Sequence, residues 1–231
     1  MTGSEMRAKD QPLLADRRLA LWIVLVMWAI AGLISLAMAI QGSADWIQSI
    51  DDRVYTLVVE NEVGAFVWLG ELLGVFGSVV VMAPLMIGVA VFLGVRHRWS
   101  ALTVWVSTIA VSQLVSITMK NLYGRPRPPL PLVETTSFSF PSGHAITGAV
   151  FAIGVLIVLV PSVRRLPLYW IIALIYVIAM AWGRVYVRAH WLSDVTAGVA
   201  IGTAVVLTVA LLIVWLDDRP ISRSSVEESQ S

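Results

Sequence analysis

Long apolar runs alternate with short polar connections along most of the chain. The runs cover about residues 19–40, 65–95, 100–121, 142–161, 167–187 and 191–216. A helix needs roughly 20 mainly apolar residues to cross the hydrocarbon core of a bilayer, and these runs approach or exceed that length. The pattern therefore predicts an all-α integral membrane protein, with a six-transmembrane-helix bundle that forms one domain over residues 19–216.

Residues 44–60 have a different pattern, in which apolar and charged positions are mixed. The apolar positions recur at three- and four-residue spacing, at Trp46, Ile47, Ile50, Val54, Leu57 and Val58, with Asp51, Asp52 and Arg53 between them. One apolar stripe on a charged helix is typical of a helix that lies in the membrane interface. An ordinary amphipathic helix packed on its neighbours fits the same pattern equally well.

The two ends of the chain are polar. Residues 1–18 and 217–231 are predicted to be disordered cytoplasmic tails, because they carry too little apolar surface to form a core. A signal peptide is the competing interpretation of the first apolar run, because Ala37-Met38-Ala39 resembles a cleavage site. The run is longer than the roughly 7–15 residues of a signal core. The run is therefore interpreted as a retained span.

The composition narrows the possible partners and cofactors. The chain of 231 residues is 58% hydrophobic and contains no cysteine, so disulfides and thiolate metal sites are excluded. Its net charge of +1 gives no indication of a nucleic-acid partner. The predicted surroundings are the lipid bilayer of a plasma or inner membrane, and neither a metal nor another cofactor is predicted.

The basic residues predict the orientation, because six spans place both termini on one side. The terminal side would carry ten of them: Arg7, Lys9, Arg17, Arg18, Arg96, Arg98, Arg164, Arg165, Arg219 and Arg223. The opposite side would carry six: Arg53, Lys120, Arg125, Arg127, Arg184 and Arg188. Cytoplasmic loops carry an excess of Lys and Arg, so both termini are predicted to be cytoplasmic.

Three polar stretches would then share the extracytoplasmic face. They are residues 120–128, 141–144 and 183–194, and each lies at or beside the end of an apolar run. The first and third supply five cations, and guanidinium groups suit phosphate oxygens. The second, Pro141-Ser142-Gly143-His144, is typical of a helix start, whose free N–H groups bind anions. Together these stretches predict a site for a phosphoryl group.

His190 and Asp194 are four residues apart, a spacing that places them on one face of a helix. A carboxylate on one imidazole nitrogen fixes the tautomer and leaves the other nitrogen free to attack. Taken alone, such a pair is more often a hydrogen bond on a helix surface. Beside an anion site it becomes a candidate nucleophile, and His144 becomes a candidate acid for the leaving oxygen.

The three stretches together resemble the signature of the type 2 phosphatidic acid phosphatase superfamily, which also includes the vanadium haloperoxidases. That pattern is a Lys, six residues and Arg-Pro, then Pro-Ser-Gly-His, then Ser-Arg, five residues, His, three residues and Asp. The corresponding residues here are Lys120, Arg127-Pro128, Pro141 to His144, Arg184, His190 and Asp194. The chain departs from the pattern at Gly183, where the family has the Ser, so one phosphate contact is in question.

The resemblance implies a role for each matched residue. Lys120, Arg127 and Arg184 would hold phosphate oxygens, with hydrogen bonds from Ser142 and the Gly143 backbone. His190 would be the nucleophile, Asp194 would orient it, and His144 would be the general acid. Arg125 and Arg188 fall between the matched positions and would bind a second phosphate or a lipid headgroup, or be merely solvated. On the first of these readings, Arg125→Ala would change substrate preference more than rate.

The implied activity is hydrolysis of a membrane lipid phosphate or diphosphate without a metal, through a phosphohistidine. Undecaprenyl diphosphate is the first expectation for the substrate, because an outward-facing site suits recycling of that carrier. Phosphatidylglycerophosphate and phosphatidic acid are the alternatives. A lipid phosphotransferase and a non-enzymatic lipid-phosphate transporter remain rival interpretations.

Overall fold

The computed structural model describes residues 16–40, 44–160 and 166–218, and within these ranges the protein forms eight α-helices and no strand. In chain order they are α1 Arg17–Ala39, α2 Ala44–Glu60, α3 Gly64–Phe76, α4 Val79–Val95, α5 Trp99–Tyr123, α6 Gly143–Leu159, α7 Leu166–Tyr186 and α8 Leu192–Asp217. The predicted tails lie almost wholly outside the described residues. The exceptions include Arg17 and Arg18, which form the first turn of α1 because Asp16 caps it.

The all-helical, membrane-spanning character is confirmed in outline. Helices α1, α5, α7 and α8 are long and apolar enough to cross a membrane. The predicted second span is broken: α3 and α4 meet at 47°, and together they provide one further candidate span. Helix α6 has 17 residues, a length of about 26 Å against a hydrocarbon core of about 30 Å. The count of six spans therefore stays a prediction.

Helix α8 is the central helix of the bundle, and small residues let it approach α6 closely. A Cβ atom on Gly198 would lie 2.7 Å from the carbonyl oxygen of Ser142, and one on Gly202 would lie 2.7 Å from that of Ile146. Glycine at both positions removes this clash and lets the two helix backbones touch. The start of α6 is thereby held against the start of α8.

The two ends of the bundle are chemically different. At one end, Arg17 at the start of α1 forms an ion pair with Asp218 just after α8. The starts of α6 and α8 and the end of α5 lie at the other end, together with the connection 124–142. All three polar stretches are therefore at the end of the bundle opposite to Arg17 and Asp218.

Helix α2 lies at this second end, and its apolar stripe is buried along one edge and exposed along the other. Ile47 and Val58 are buried against neighbouring elements, whereas Trp46, Ile50 and Leu57 are exposed. The helix predicted over 44–60 is therefore present. The buried edge packs on neighbouring elements, as expected of an ordinary amphipathic helix. The exposed edge is available to the membrane interface, as expected of an interfacial helix.

Candidate active site

Ser142 and Gly143 begin α6 beside Asp194. The Ser142 hydroxyl accepts from the backbone N–H of Ala145 at 3.4 Å and so caps the helix. The Ser142 N–H donates to the backbone oxygen of Asp194 at 3.0 Å. A Cβ on Gly143 would meet nothing closer than Ser116 Oγ at 3.9 Å and Lys120 Cε at 4.0 Å. The Cα of Gly143 is therefore not closely packed, and Lys120 lies near it.

His190 lies between a carboxylate and a guanidinium. Its Nδ1 is 3.5 Å from Asp194 Oδ2, close but without hydrogen-bond geometry, and its Nε2 is 3.3 Å from Arg127 Nη1. A carboxylate can only accept and a guanidinium can only donate. These neighbours therefore favour the neutral tautomer with the proton on Nδ1 and a lone pair on Nε2.

Asp194 is fully buried, and its side chain accepts hydrogen bonds from three donors besides facing His190. Oδ2 accepts from the Ser139 hydroxyl and from the Trp191 N–H at 2.9 Å, and Oδ1 accepts from Arg125 Nη1 at 2.6 Å. The Trp191 contact ties the carboxylate to the start of its own helix. The position of Asp194 is thus fixed by several donors, which is what an orienting group requires.

The five cations at this end divide into two groups by their partners. Lys120, Arg127 and Arg184 have no carboxylate oxygen within 4 Å among the described residues, whereas Arg125 and Arg188 each do. Lys120 donates to the Phe138 carbonyl, and Arg127 donates to the carbonyls of Ser137 and Ala189. The three unpaired cations are those matched by the signature.

Arg184 is the most unusual of the three. It is only 5% exposed, and none of its nitrogens has a hydrogen-bond or ion-pair partner among the described residues. A buried cation without a partner is costly, because it has lost its water and gained nothing in return. An anion bound beside Arg184 would offset this cost.

Arg125 and Arg188 are engaged by the protein itself. Arg125 contacts both Asp51 and Asp194, and Arg188 contacts Glu62 and the carbonyl of Leu130. Both side chains are buried, so neither lies on a solvated surface. Their contacts favour a role in holding the site together over binding of a second phosphate.

Helix α3 contributes a face of glycines that the sequence pattern did not single out as part of the site. Gly74 faces the Arg184 guanidinium, and Gly77 faces the His144 ring. The Gly74 carbonyl also accepts from His144 Nε2 at 3.2 Å and orients that ring. The spacing of these glycines along one helix face was the available signal, although it indicates close packing in general.

Gly183 occupies the position where the family has Ser. A Cβ there would lie 3.2 Å from Leu73 Cδ1 and 3.3 Å from the Gly70 Cα. Gly183 and Gly70 thus allow α7 and α3 to cross closely, directly beside Arg184. The departure from the signature is accounted for by this helix crossing.

Gly74→Ala tests whether the position of Arg184 matters. The added Cβ would come within 2.2 Å of Arg184 Nη1, so the guanidinium must move. We expect a loss of phosphate hydrolysis of about tenfold or more, since displacing a charged hydrogen-bond donor costs about 1.5–3 kcal/mol. Gly88→Ala on α4 is the matched control, because nothing lies within 4 Å of its Cβ. Equal activity in the two variants would contradict the assignment.

The protonation of His190 can also be measured. Burial lowers its pKa from the ordinary 6.5 to about 4, and the nearby Arg127 and Lys120 act in the same direction against Asp194. The unfolded chain therefore binds this proton at higher pH than the folded protein. The free energy of unfolding should fall as the pH drops from about 6.5 to about 4.

We expect ¹⁵N NMR of histidine-labelled protein in detergent to show a neutral His190 with hydrogen on Nδ1 at pH 6. The chain has three histidines, so the signal can be assigned with His190→Gln. A His190 signal that titrates near pH 6.5 would contradict the buried, neutral imidazole.

The residues that the structure describes contain no group of three or more His, Cys, Asp or Glu side chains placed to hold a metal ion.

Comparison with known proteins places this site in context. A sequence model of the PAP2 superfamily matches residues 101–218. The undecaprenyl-diphosphatase of Sulfolobus acidocaldarius is 26% identical over 194 residues, which cover 81% of this chain and 88% of that protein. Phosphatidylglycerophosphatase B of Bacillus subtilis is 30% identical over 145 residues, which cover 58% of this chain and 70% of that protein.

Two solved structures have a similar fold. The crystal structure of a transmembrane PAP2-type phosphatidylglycerolphosphate phosphatase from Bacillus subtilis aligns with a TM-score of 0.70 and 22% identity, over 87% of this chain and 98% of that one. The crystal structure of Aquifex aeolicus LpxE aligns with a TM-score of 0.56 and 20% identity, over 68% of this chain and 92% of that one. Both likenesses concern the fold.

Proposed function

Since the chain belongs to the PAP2 superfamily, we propose that it is a membrane lipid phosphatase that hydrolyses its substrate through a phosphohistidine at His190. Phosphatase-named relatives support the hydrolase class. The observation that carries the proposal is the partnerless, buried Arg184, in a site whose two other unpaired cations are Lys120 and Arg127. Three cations without carboxylate partners stabilise the charge on a phosphoryl group as it is transferred.

The proposed reaction has two steps. In the first, the Nε2 lone pair of His190 attacks the terminal phosphorus, and the bond from that phosphorus to the oxygen of the leaving group breaks. His144 gives its proton to that oxygen, so that a lipid alcohol leaves from a monophosphate and a lipid phosphate leaves from a diphosphate. In the second, water attacks phosphorus and passes a proton to His144. The phosphorus–nitrogen bond breaks, which regenerates His190 and releases inorganic phosphate.

The surrounding residues support each part of this scheme. The neutral tautomer of His190 has its lone pair on the side that faces Arg127. Phosphorylation at Nε2 makes the ring cationic, and Asp194 beyond Nδ1 stabilises that charge. The Gly143 N–H lies at the start of α6 and suits a phosphoryl oxygen, because a helix start favours anions.

Undecaprenyl diphosphate is the substrate we propose first. An extracytoplasmic site suits recycling of that carrier, and a relative that aligns over most of this chain is named for its hydrolysis. Phosphatidylglycerophosphate is the second candidate, supported by the Bacillus relative. The lipid tail would stay in the bilayer while the headgroup enters the site.

Phosphate release in detergent tests the proposed function. The panel contains undecaprenyl diphosphate, phosphatidylglycerophosphate and phosphatidic acid, each with and without a chelator, for the wild type and His190→Ala. We expect release that ignores the chelator, vanishes in the variant and is fastest with undecaprenyl diphosphate. No release from any lipid by folded protein would refute a phosphatase. Faster release from another lipid would change only the substrate.

We also propose six spans, cytoplasmic termini and an extracytoplasmic site, from the distribution of Lys and Arg. The chain has no native cysteine, so single cysteines can report sidedness. Glu134→Cys in the exposed connection should react with a membrane-impermeant maleimide in intact cells, and Arg96→Cys at the opposite end should not. The reverse labelling pattern would invert the orientation.

A further inference from the structure

Asp51 is a buried carboxylate on α2, a helix outside the region matched by the family. It is 1% exposed, although its neighbour Asp52 is exposed. Asp51 Oδ1 accepts from the Ser193 N–H at 2.9 Å. Oδ2 accepts from the Ser193 hydroxyl at 2.6 Å and from Arg125 Nη2 at 2.7 Å. Aspartate is rarely fully buried unless it is paired, and here both carboxylate oxygens accept hydrogen bonds from specific donors.

Arg125 connects Asp51 to the candidate catalytic pair. Its Nη2 contacts Asp51, while its Nη1 contacts Asp194 Oδ1 at 2.6 Å and the Ser193 hydroxyl at 2.7 Å. The other oxygen of Asp194 faces His190 Nδ1. The contacts therefore run from Asp51 through Arg125 to Asp194, whose Oδ2 lies 3.5 Å from His190 Nδ1.

We propose that Asp51 is a positioning residue that keeps the negative charge of Asp194 directed at His190. This inference rests on the proposed function. Asp51 holds one end of the Arg125 guanidinium, so that only Nη1 reaches Asp194. Asp194 Oδ2, which also accepts from Ser139 and Trp191, then stays directed at His190. The Ser193 contacts fix the first turn of α8, from which Asp194 extends.

The charges of the group explain why a second carboxylate is needed. Arg125 is 8% exposed, and with Asp194 alone it would form a neutral, bidentate pair. Such a pair would draw Oδ2 away from His190 and offset the charge that stabilises the phosphorylated ring. With Asp51 present, two carboxylates share one guanidinium, and a net charge of −1 remains beside His190.

The docking of α2 is specific enough to support this role. The Tyr55 hydroxyl donates to the Pro129 carbonyl at 3.1 Å, and the Tyr55 ring lies 6.0 Å from that of Trp191. Trp191 in turn lies under the Arg125 guanidinium at 5.5 Å. Helix α2 therefore contacts Trp191 and Ser193, which follow His190 in the chain, and Asp51 is the charged part of that contact.

The test compares Asp51→Asn with Glu60→Gln, which removes one carboxylate charge from an exposed position on the same helix. Asn keeps the size and one acceptor oxygen of Asp51 but removes its charge. We expect Asp51→Asn to lower kcat and the rate of phosphoenzyme formation at least tenfold, with KM and the inhibition constant of inorganic phosphate changed less than threefold. Glu60→Gln should match the wild type. Equal kcat in the two variants would overturn the proposal, as would a loss confined to KM.

Two further variants separate positioning from folding. In Asp51→Asn, Arg125 is left with Asp194 as its one carboxylate partner, and the double variant Asp51→Asn/Arg125→Gln removes that cation. The kcat of the double variant should therefore be higher than that of Asp51→Asn alone. A kcat loss equal to the product of the two single losses would refute the coupling. Arg125→Lys keeps the charge but cannot span two carboxylates, and it should also lose kcat. It therefore serves as the test if Asp51→Asn does not fold, and full activity in Arg125→Lys would then overturn the inference. Wild-type inactivity would instead refute the proposed function.

Discussion

His190→Ala is expected to abolish phosphate release from every substrate, whatever its leaving group. The variant lacks the nitrogen to which the phosphoryl group would be transferred. His144→Ala is expected to behave differently. It should lose about 10²–10⁴-fold with a lipid phosphate, whose alkoxide needs a proton, and recover much of that loss with an aryl phosphate, whose leaving group needs none.

The measurement is single-turnover release of the alcohol or phenol from one lipid phosphate and one aryl phosphate by each variant in detergent, because His144 also accepts a proton from water in the second step. His97→Ala is the matched control, because the third histidine lies in the exposed turn between α4 and α5 at the opposite end of the bundle. Aryl phosphate turnover that survives in His190→Ala would remove His190 as the nucleophile. Equal losses of His144→Ala on both substrates would remove the acid role.

Arg184→Gln is expected to lose phosphate binding without losing stability. Its charged hydrogen bonds to phosphate oxygens should be worth about 1.5–3 kcal/mol, so the inhibition constant of inorganic phosphate should rise by about 10- to 100-fold. The protein without a ligand gains nothing from this cation, which is buried and has no partner among the described residues. Its Tm should therefore stay the same or increase.

Thermal unfolding with and without phosphate measures both effects. Phosphate should raise the Tm of the wild type, because it binds only the folded state, and should no longer do so in Arg184→Gln. Arg53→Gln is the control for loss of one cation, since Arg53 is exposed on α2 at the same end of the bundle. A large fall in Tm with unchanged phosphate binding would make Arg184 a structural residue.

Local pattern was enough to predict much of this molecule. The apolar runs located the long helices, and the 44–60 pattern located α2 with its apolar stripe. The pattern did not reveal the break between α3 and α4, because Gly77 and Ser78 lie within one continuous apolar run. The matched motif residues do lie together, since their spacing puts each at a helix end.

What sequence reasoning missed depends on contacts between distant segments. Arg125 and Asp51 are 74 residues apart, so no local pattern pairs them. Adjacent acids at 51 and 52 look alike in the sequence. A signal was nevertheless available, because Asp51 follows Ile47 by four residues and shares its buried helix face. Gly74 was likewise visible only as a packing residue until Arg184 was seen against it.

The central claim is that a phosphoryl group is transferred to His190, and rapid quenching tests it most directly. Protein mixed with a ³²P-labelled lipid phosphate in the presence of a chelator would be quenched in alkali, digested and analysed by mass spectrometry. The account predicts an acid-labile, alkali-stable phosphate on the peptide that contains His190, formed and lost at rates consistent with turnover. Turnover without this intermediate, or with phosphate on another residue, would contradict it.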